Sequence, residues 1–141
     1  MDSDRALLPQ PGGDLFLTDA GLETSLIFYD GVDLPCFATF PLLETEDGRK
    51  KLGDYFRPFL QLARDRQTGF ILDTVTWRAN ADWGAQLGYD AAALDRINRQ
   101  AVDFSLDLTR EFEEPTNPIV VNGVIGPRGG RLPAGDPHVG R

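Results

Sequence analysis

Of 141 residues, one is cysteine and one is histidine. A single thiol excludes an intrachain disulfide and any multi-cysteine metal site within the chain, and a single imidazole excludes a paired-histidine zinc motif such as HExxH. Cys36 has no neighbour in sequence that points to activation, so it reads as a small, half-buried hydrophobe. Cations are also short: 14 Lys and Arg stand against 22 Asp and Glu, a formal net charge of -8. Nucleic-acid binding depends on cations that neutralise phosphates, so this balance argues against a nucleic-acid partner. No run approaches the roughly 20 apolar residues of a membrane span, and Met1 to Gly13 lack a basic head followed by an apolar stretch. The chain therefore reads as cytoplasmic, with no membrane partner. GxGxxG, GxxxxGK[ST] and GxSxG are missing as well, which removes the common phosphate cradles and the serine elbow.

What is there has the size of one domain and alternates between two periodicities. Residues 1–14 read as a flexible lead-in, with two prolines, two glycines and no pattern in Met1 to Gly13. Leu15 to Leu17 form a short apolar strand, followed by a helical segment from Gly21 to Tyr29. The chain is irregular between Asp30 and Pro41. Thr45 then opens a helix in which Leu52, Phe56, Phe59 and Ala63 recur at the helical period, with Pro58 either kinking it or restarting it. Phe70 to Leu72 begin a second strand, a helical stretch covers Ala79 to Tyr89, and Asp90 caps the cleanest helix of the chain. There Leu94, Ile97, Ala101, Phe104, Leu108 and Phe112 mark one face. Pro115 and Pro118 end it, and Ile119 to Val121 start a third, β-branched strand. Continuous apolar strands joined by helical crossovers predict a parallel α/β arrangement. The pattern is lost over residues 130–141, where His138 reads as a solvated tail residue.

In parallel α/β folds, sites form beyond the carboxyl ends of the strands. Three such ends can be named: Asp19 with Ala20 and Gly21; Thr74, Thr76, Trp77 and Arg78; and Asn122, Gly123 and the turn from Ile125 to Gly129. A carboxylate, hydroxyls, an aromatic wall and free amides suit a small zwitterion, with the carboxylate taking its ammonium. From local sequence alone Asp19 reads first as an ordinary N-cap of the helix that follows, because Asp satisfies free N–H groups at a helix start. Asp19 and Asp73 form a further candidate, a two-carboxylate acid/base pair, although Asp73 suits a local backbone bond just as well.

Three segments together resemble the homocysteine S-methyltransferase family, which includes betaine-homocysteine methyltransferase and the homocysteine module of methionine synthase. LTDAGLETSL, from Leu17 to Leu26, resembles the family's opening strand and turn. LDTVTWRAN, from Leu72 to Asn80, is similar to its second-strand motif, and GVIGPRG, from Gly123 to Gly129, to its Gly-Pro turn after the third strand. The resemblance covers Leu15 to Gly129. It implies the N-terminal part of a (β/α)8 TIM barrel, about three β/α units in residues 15–129. It also implies methyl transfer from a donor to the thiol of homocysteine, giving methionine. Substrate-binding positions carried over are Asp19, at the substrate amino group, with Ala20 and Gly21 in its turn, then Thr76 and the aromatic Trp77. Ala20 replaces a usual glycine and Arg78 a usual glutamine, departures that bear on the methyl donor.

The family holds its thiolate on zinc through cysteines of later strands, and no residue here corresponds to those ligands. A complete barrel needs about 250 residues. The expectation is therefore a truncated chain, with residues 130–141 foreign to the family. The alternative is a non-catalytic small-ligand binding fragment that needs self-association or a partner chain.

Overall fold

A computed structural model describes residues 13–128. Most of the lead-in, and the tail with Gly129 and His138, lie outside the described residues. Three strands form one sheet in the order β1 (Phe16–Thr18), β2 (Gly69–Asp73), β3 (Ile119–Asn122). Both pairings are parallel, with Leu17 and Ile119 each in register with Phe70, and Asn122 in register with Asp73. The strand-helix alternation therefore folds as expected, into a mixed α/β unit. Strand β2 lies in the middle and is the most buried of the three.

Four helices connect the strands: α1 (Leu22–Phe28), α2 (Glu46–Asp65), α3 (Ala81–Gln86) and α4 (Ala91–Phe112). Helix α2 packs against β2, α4 against β3, and the two helices against each other. They cover one face of the sheet. Phe70 and Leu72 point into that layer and are fully buried, where they meet Leu52, Phe56, Leu60 and Ile97. Phe16, Ile71 and Val120 alternate to the opposite face and stay half-buried. That face has no layer over it among the described residues.

Local chemistry accounts for most element ends. Thr45 caps α2 by accepting the Gly48 N–H at 3.0 Å, and Asp90 caps α4 by accepting the Ala93 N–H at 2.8 Å. Pro58 neither ends nor restarts α2, which runs unbroken through it. The ring deprives the Asp54 carbonyl of its helical partner, but both residues are exposed, so the loss falls on the solvent side of the helix. The stretch from Ala79 to Tyr89 is helical only over Ala81–Gln86, because Gly88 turns left-handed at φ 81° and closes it. The irregular connection before α2 contains two 3-10 turns, Pro35–Phe37 and Phe40–Glu44. The second wedges Phe40 and Leu43 between α2 and α4.

That wedge makes Gly48 a steric requirement. A Cβ there would lie 2.1 Å from the carbonyl oxygen of Leu42. Helix propensity alone favours Ala over Gly by about 1 kcal/mol, whereas forcing atoms into a packed site costs about 1–3 kcal/mol. Gly48→Ala is therefore expected to lower the midpoint of urea denaturation. A raised midpoint would mean that the Phe40–Glu44 turn yields freely.

Candidate functional site

The carboxyl ends of the three strands meet in one cavity of about 220 Å³. Its walls include Asp19, Ala20, Gly21 and Glu23 from the β1 end, and Asp73, Thr74 and Trp77 from the β2 end. Val124 contributes from the β3 end. Four of the five residues carried over from the sequence thus share a cavity. Thr76 is buried behind it and is absent from its walls.

Gly21 makes the first corner. It adopts φ 76° and ψ 40°, a left-handed conformation that glycine enters without a Cβ penalty, and it is itself the N-cap of α1. No side chain caps that helix, so Asp19 is not an N-cap. Its Oδ2 instead accepts the hydroxyl of Tyr55 on α2 at 2.8 Å, and the same hydroxyl lies 2.9 Å from the Ala20 carbonyl. The turn after β1 is therefore pinned to a helix 36 positions away in sequence.

The second and third strand ends are locked together by two hydroxyls. Thr76 donates to the Val124 carbonyl at 2.7 Å, and Thr74 accepts the Val124 N–H at 3.1 Å. The hydroxyls themselves lie 2.8 Å apart. Thr76 has one hydrogen and gives it to Val124, so Thr74 must donate to Thr76. Thr76 consequently has no proton left to offer a ligand in the cavity. Nearby, Gly126 lies so close to Trp77 that an added Cβ would meet the Trp77 carbonyl oxygen at 1.9 Å. Only a glycine lets the turn after β3 seat on that indole.

Electrostatically the cavity is negative. Burial raises the pKa of Asp19, the Tyr55 hydrogen bond lowers it, and the charge of Asp73 raises it again, with a net shift upward. Glu23 is likewise raised, first by burial, against its own backbone N–H, with Asp19 adding repulsion and Arg78 relieving it. Burial and the Asp19 carboxylate hold the Tyr55 phenol far above its ordinary value, so it remains a neutral donor. Asp73 does not bond a neighbouring backbone group; it accepts the Asn122 amide across the sheet at 2.7 Å. Three carboxylates lining a small cavity favour a cationic group there.

Sequence reasoning missed Tyr55 and Glu23. Tyr55 stands within the apolar stripe of α2 and carries a polar tip, the single cue that it reaches a partner. Glu23 sits in the first turn of α1, where acidic residues are common for helix-dipole reasons alone. The resemblance read from the sequence implies a zinc ion, which needs three or more ligating side chains close together. Among the described residues no group of three His, Cys, Asp or Glu is arranged to hold a metal ion, and Cys36 belongs to the connection before α2. These residues do not fit a zinc site.

The raised Asp19 pKa links stability to pH. The folded state binds this proton more tightly than the unfolded chain does. Stability therefore falls as pH climbs from the ordinary value of 3.8 through the raised value, and the whole penalty is present above it. Asp19→Asn is expected to raise the thermal midpoint at neutral pH, with the gain vanishing below 3.8. Parallel midpoint-against-pH curves for the two chains would contradict this origin of the shift.

No family model, curated protein or solved structure matches the chain. The geometry and chemistry of the strand-end cavity are thus what a functional reading stands on.

Proposed function

We propose that this chain is part of a homocysteine S-methyltransferase and that the strand-end cavity binds the amino-acid end of homocysteine. The observation that carries the reading is the meeting of Asp19, the segment from Thr74 to Trp77 and Val124, which leads into the turn after β3, at one acidic cavity. Those are the three segments on which the family resemblance rests. A volume near 220 Å³ suits a small amino acid.

In this reading the substrate ammonium sits against Asp19, with Glu23 and Asp73 adding to the attraction. Tyr55 holds the Asp19 carboxylate in place. The Trp77 ring walls the cavity, and the exposed backbone around Ala20 and Gly21 faces the substrate carboxylate. Thr74 and Thr76 shape the pocket by clamping Val124. Methyl transfer itself forms a bond from sulfur to the methyl carbon as the donor's bond to that carbon breaks, and the thiol proton departs. No step is assigned to a metal, because the residues present do not hold one. The larger fold proposed is a (β/α)8 barrel of which β1 to β3 are the first strands, in a cytoplasmic protein. On the described residues no helix is long and apolar enough to cross a membrane.

The uncovered sheet face favours a second reading. Phe16, Ile71 and Val120 are half-buried with nothing packed over them among the described residues, which suits a non-catalytic ligand-binding module completed by self-association or another chain. Sedimentation velocity distinguishes a monomer from a self-associated form.

Isothermal titration with L-homocysteine under reducing conditions tests the substrate. Saturable binding is expected, weakened about tenfold or more by Asp19→Asn, since a hydrogen bond to a charged group is worth about 1.5–3 kcal/mol. No heat of binding, or equal affinity in the variant, would remove homocysteine from the cavity. The 141-residue chain supplied with zinc and betaine is expected to form no methionine. Turnover would overturn the account of the missing zinc ligands.

A further inference from the structure

Next to the acidic cavity lies a buried cation that makes no ion pair among the described residues and feels Glu23 only at longer range. Arg78 is 3% exposed, and its Cζ lies 4.1 Å from the ring centroid of Trp77 and 3.9 Å from that of Trp83. Its Nε has no hydrogen-bond partner, and no carboxylate among the described residues stands within ion-pair distance of it. Two other donors in the same short stretch, the Asn80 amide Nδ2 and the Trp83 indole Nε1, are also buried without acceptors. Three orphaned donors within the segment from Arg78 to Trp83, and no orphaned acceptor beside them, give this stretch one polarity. Buried donors are costly to leave unpaired, each by about 1–3 kcal/mol.

Stacking on indoles explains part of the arrangement. Ring faces attract the positive charge, but they use the flat faces of the guanidinium and accept none of its in-plane N–H bonds. The in-plane edge is the part that pairs with oxyanions. Burial pulls the guanidinium pKa down, while Cys36 and Glu23 raise it only in part.

We propose that Arg78, Asn80 and Trp83 form an oxyanion subsite that takes the carboxylate of a small ligand. A carboxylate is favoured over phosphate by charge. One guanidinium and two neutral donors match a monoanion, whereas a doubly charged phosphate would also face Glu23 and the other carboxylates of the cavity. The subsite is separated from that cavity by a single side chain, because Trp77 both lines the cavity and stacks on Arg78. It does not depend on homocysteine being the cavity's occupant. If homocysteine is the occupant, the position suits a second ligand bearing a carboxylate.

The two tryptophans of the chain are the two that touch Arg78, so intrinsic fluorescence reads the subsite directly. The full chain would be titrated with sodium acetate, with sodium phosphate and with sodium chloride at matched ionic strength, without homocysteine. A saturable change in tryptophan emission with acetate, beyond that given by chloride, is expected. Arg78→Met is expected to abolish it, and Arg78→Lys to shift its midpoint about tenfold, because an ammonium lacks the planar fork. Far-UV circular dichroism checks that each variant is folded. Should Arg78→Met fail to fold, the Arg78→Lys midpoint decides: an unshifted midpoint overturns the proposal. A response to phosphate alone, or acetate no different from chloride, overturns it as well. A homocysteine titration that fails while the acetate response stands removes only the substrate reading.

Discussion

The Val124 peptide is the point on which the candidate site depends. Its N–H and carbonyl are both taken by hydroxyls of the segment that follows β2, and those hydroxyls bond each other in a direction set by proton counting. This small ring of bonds fixes how β2 and β3 end relative to one another. The Gly126 turn then closes on Trp77, which brings the indole to the cavity wall. On the other side, Tyr55 ties the β1 turn to α2. Three loops that are far apart in sequence are thereby held as one surface by a few polar contacts, most of them half-buried. The core beneath them supplies burial, which is nondirectional; the clamps supply the geometry.

That surface is electrostatically divided. Asp19, Glu23 and Asp73 gather negative charge at one cavity, and burial raises the first two above their ordinary values. Arg78 lies behind Trp77 between two indole faces, with no carboxylate among the described residues close enough for an ion pair and Glu23 acting on it only at longer range. A chain selected only for stability would pair these charges. Separating them by an indole leaves one region suited to an ammonium and another to an oxyanion. The stability penalty at Asp19 and the orphaned donors at Arg78 are perturbed groups of the kind that concentrate at functional sites.

Sequence patterning anticipated the strand-helix order because it depends on local period. The Leu94, Ile97, Ala101, Leu108 and Phe112 stripe is buried as its spacing demands, and Phe104, on the same stripe, is half-buried at its edge. Boundaries shifted by a residue or two, as at β1 and α1, where hydrogen bonds rather than hydropathy decide the ends. The role of Asp19 was undecidable locally, since an N-cap and a ligand carboxylate look alike until Tyr55 arrives from α2. Thr76 was legible as a strand-end polar residue, but the direction of its proton depends on Val124, 48 positions on. Arg78 gave no sign of burial, because an arginine after tryptophan is ordinarily solvated and only the return of Trp83 encloses it.

The central claim is that a small amino acid occupies the space where the three strand ends meet. A titration of isotopically labelled chain with L-homocysteine, followed by amide chemical shifts, reads that space residue by residue. Shifts are expected at Gly21, Thr74 and Val124, saturating together with one midpoint. Shifts confined to the uncovered sheet face, or none at any of these three amides, would contradict the account.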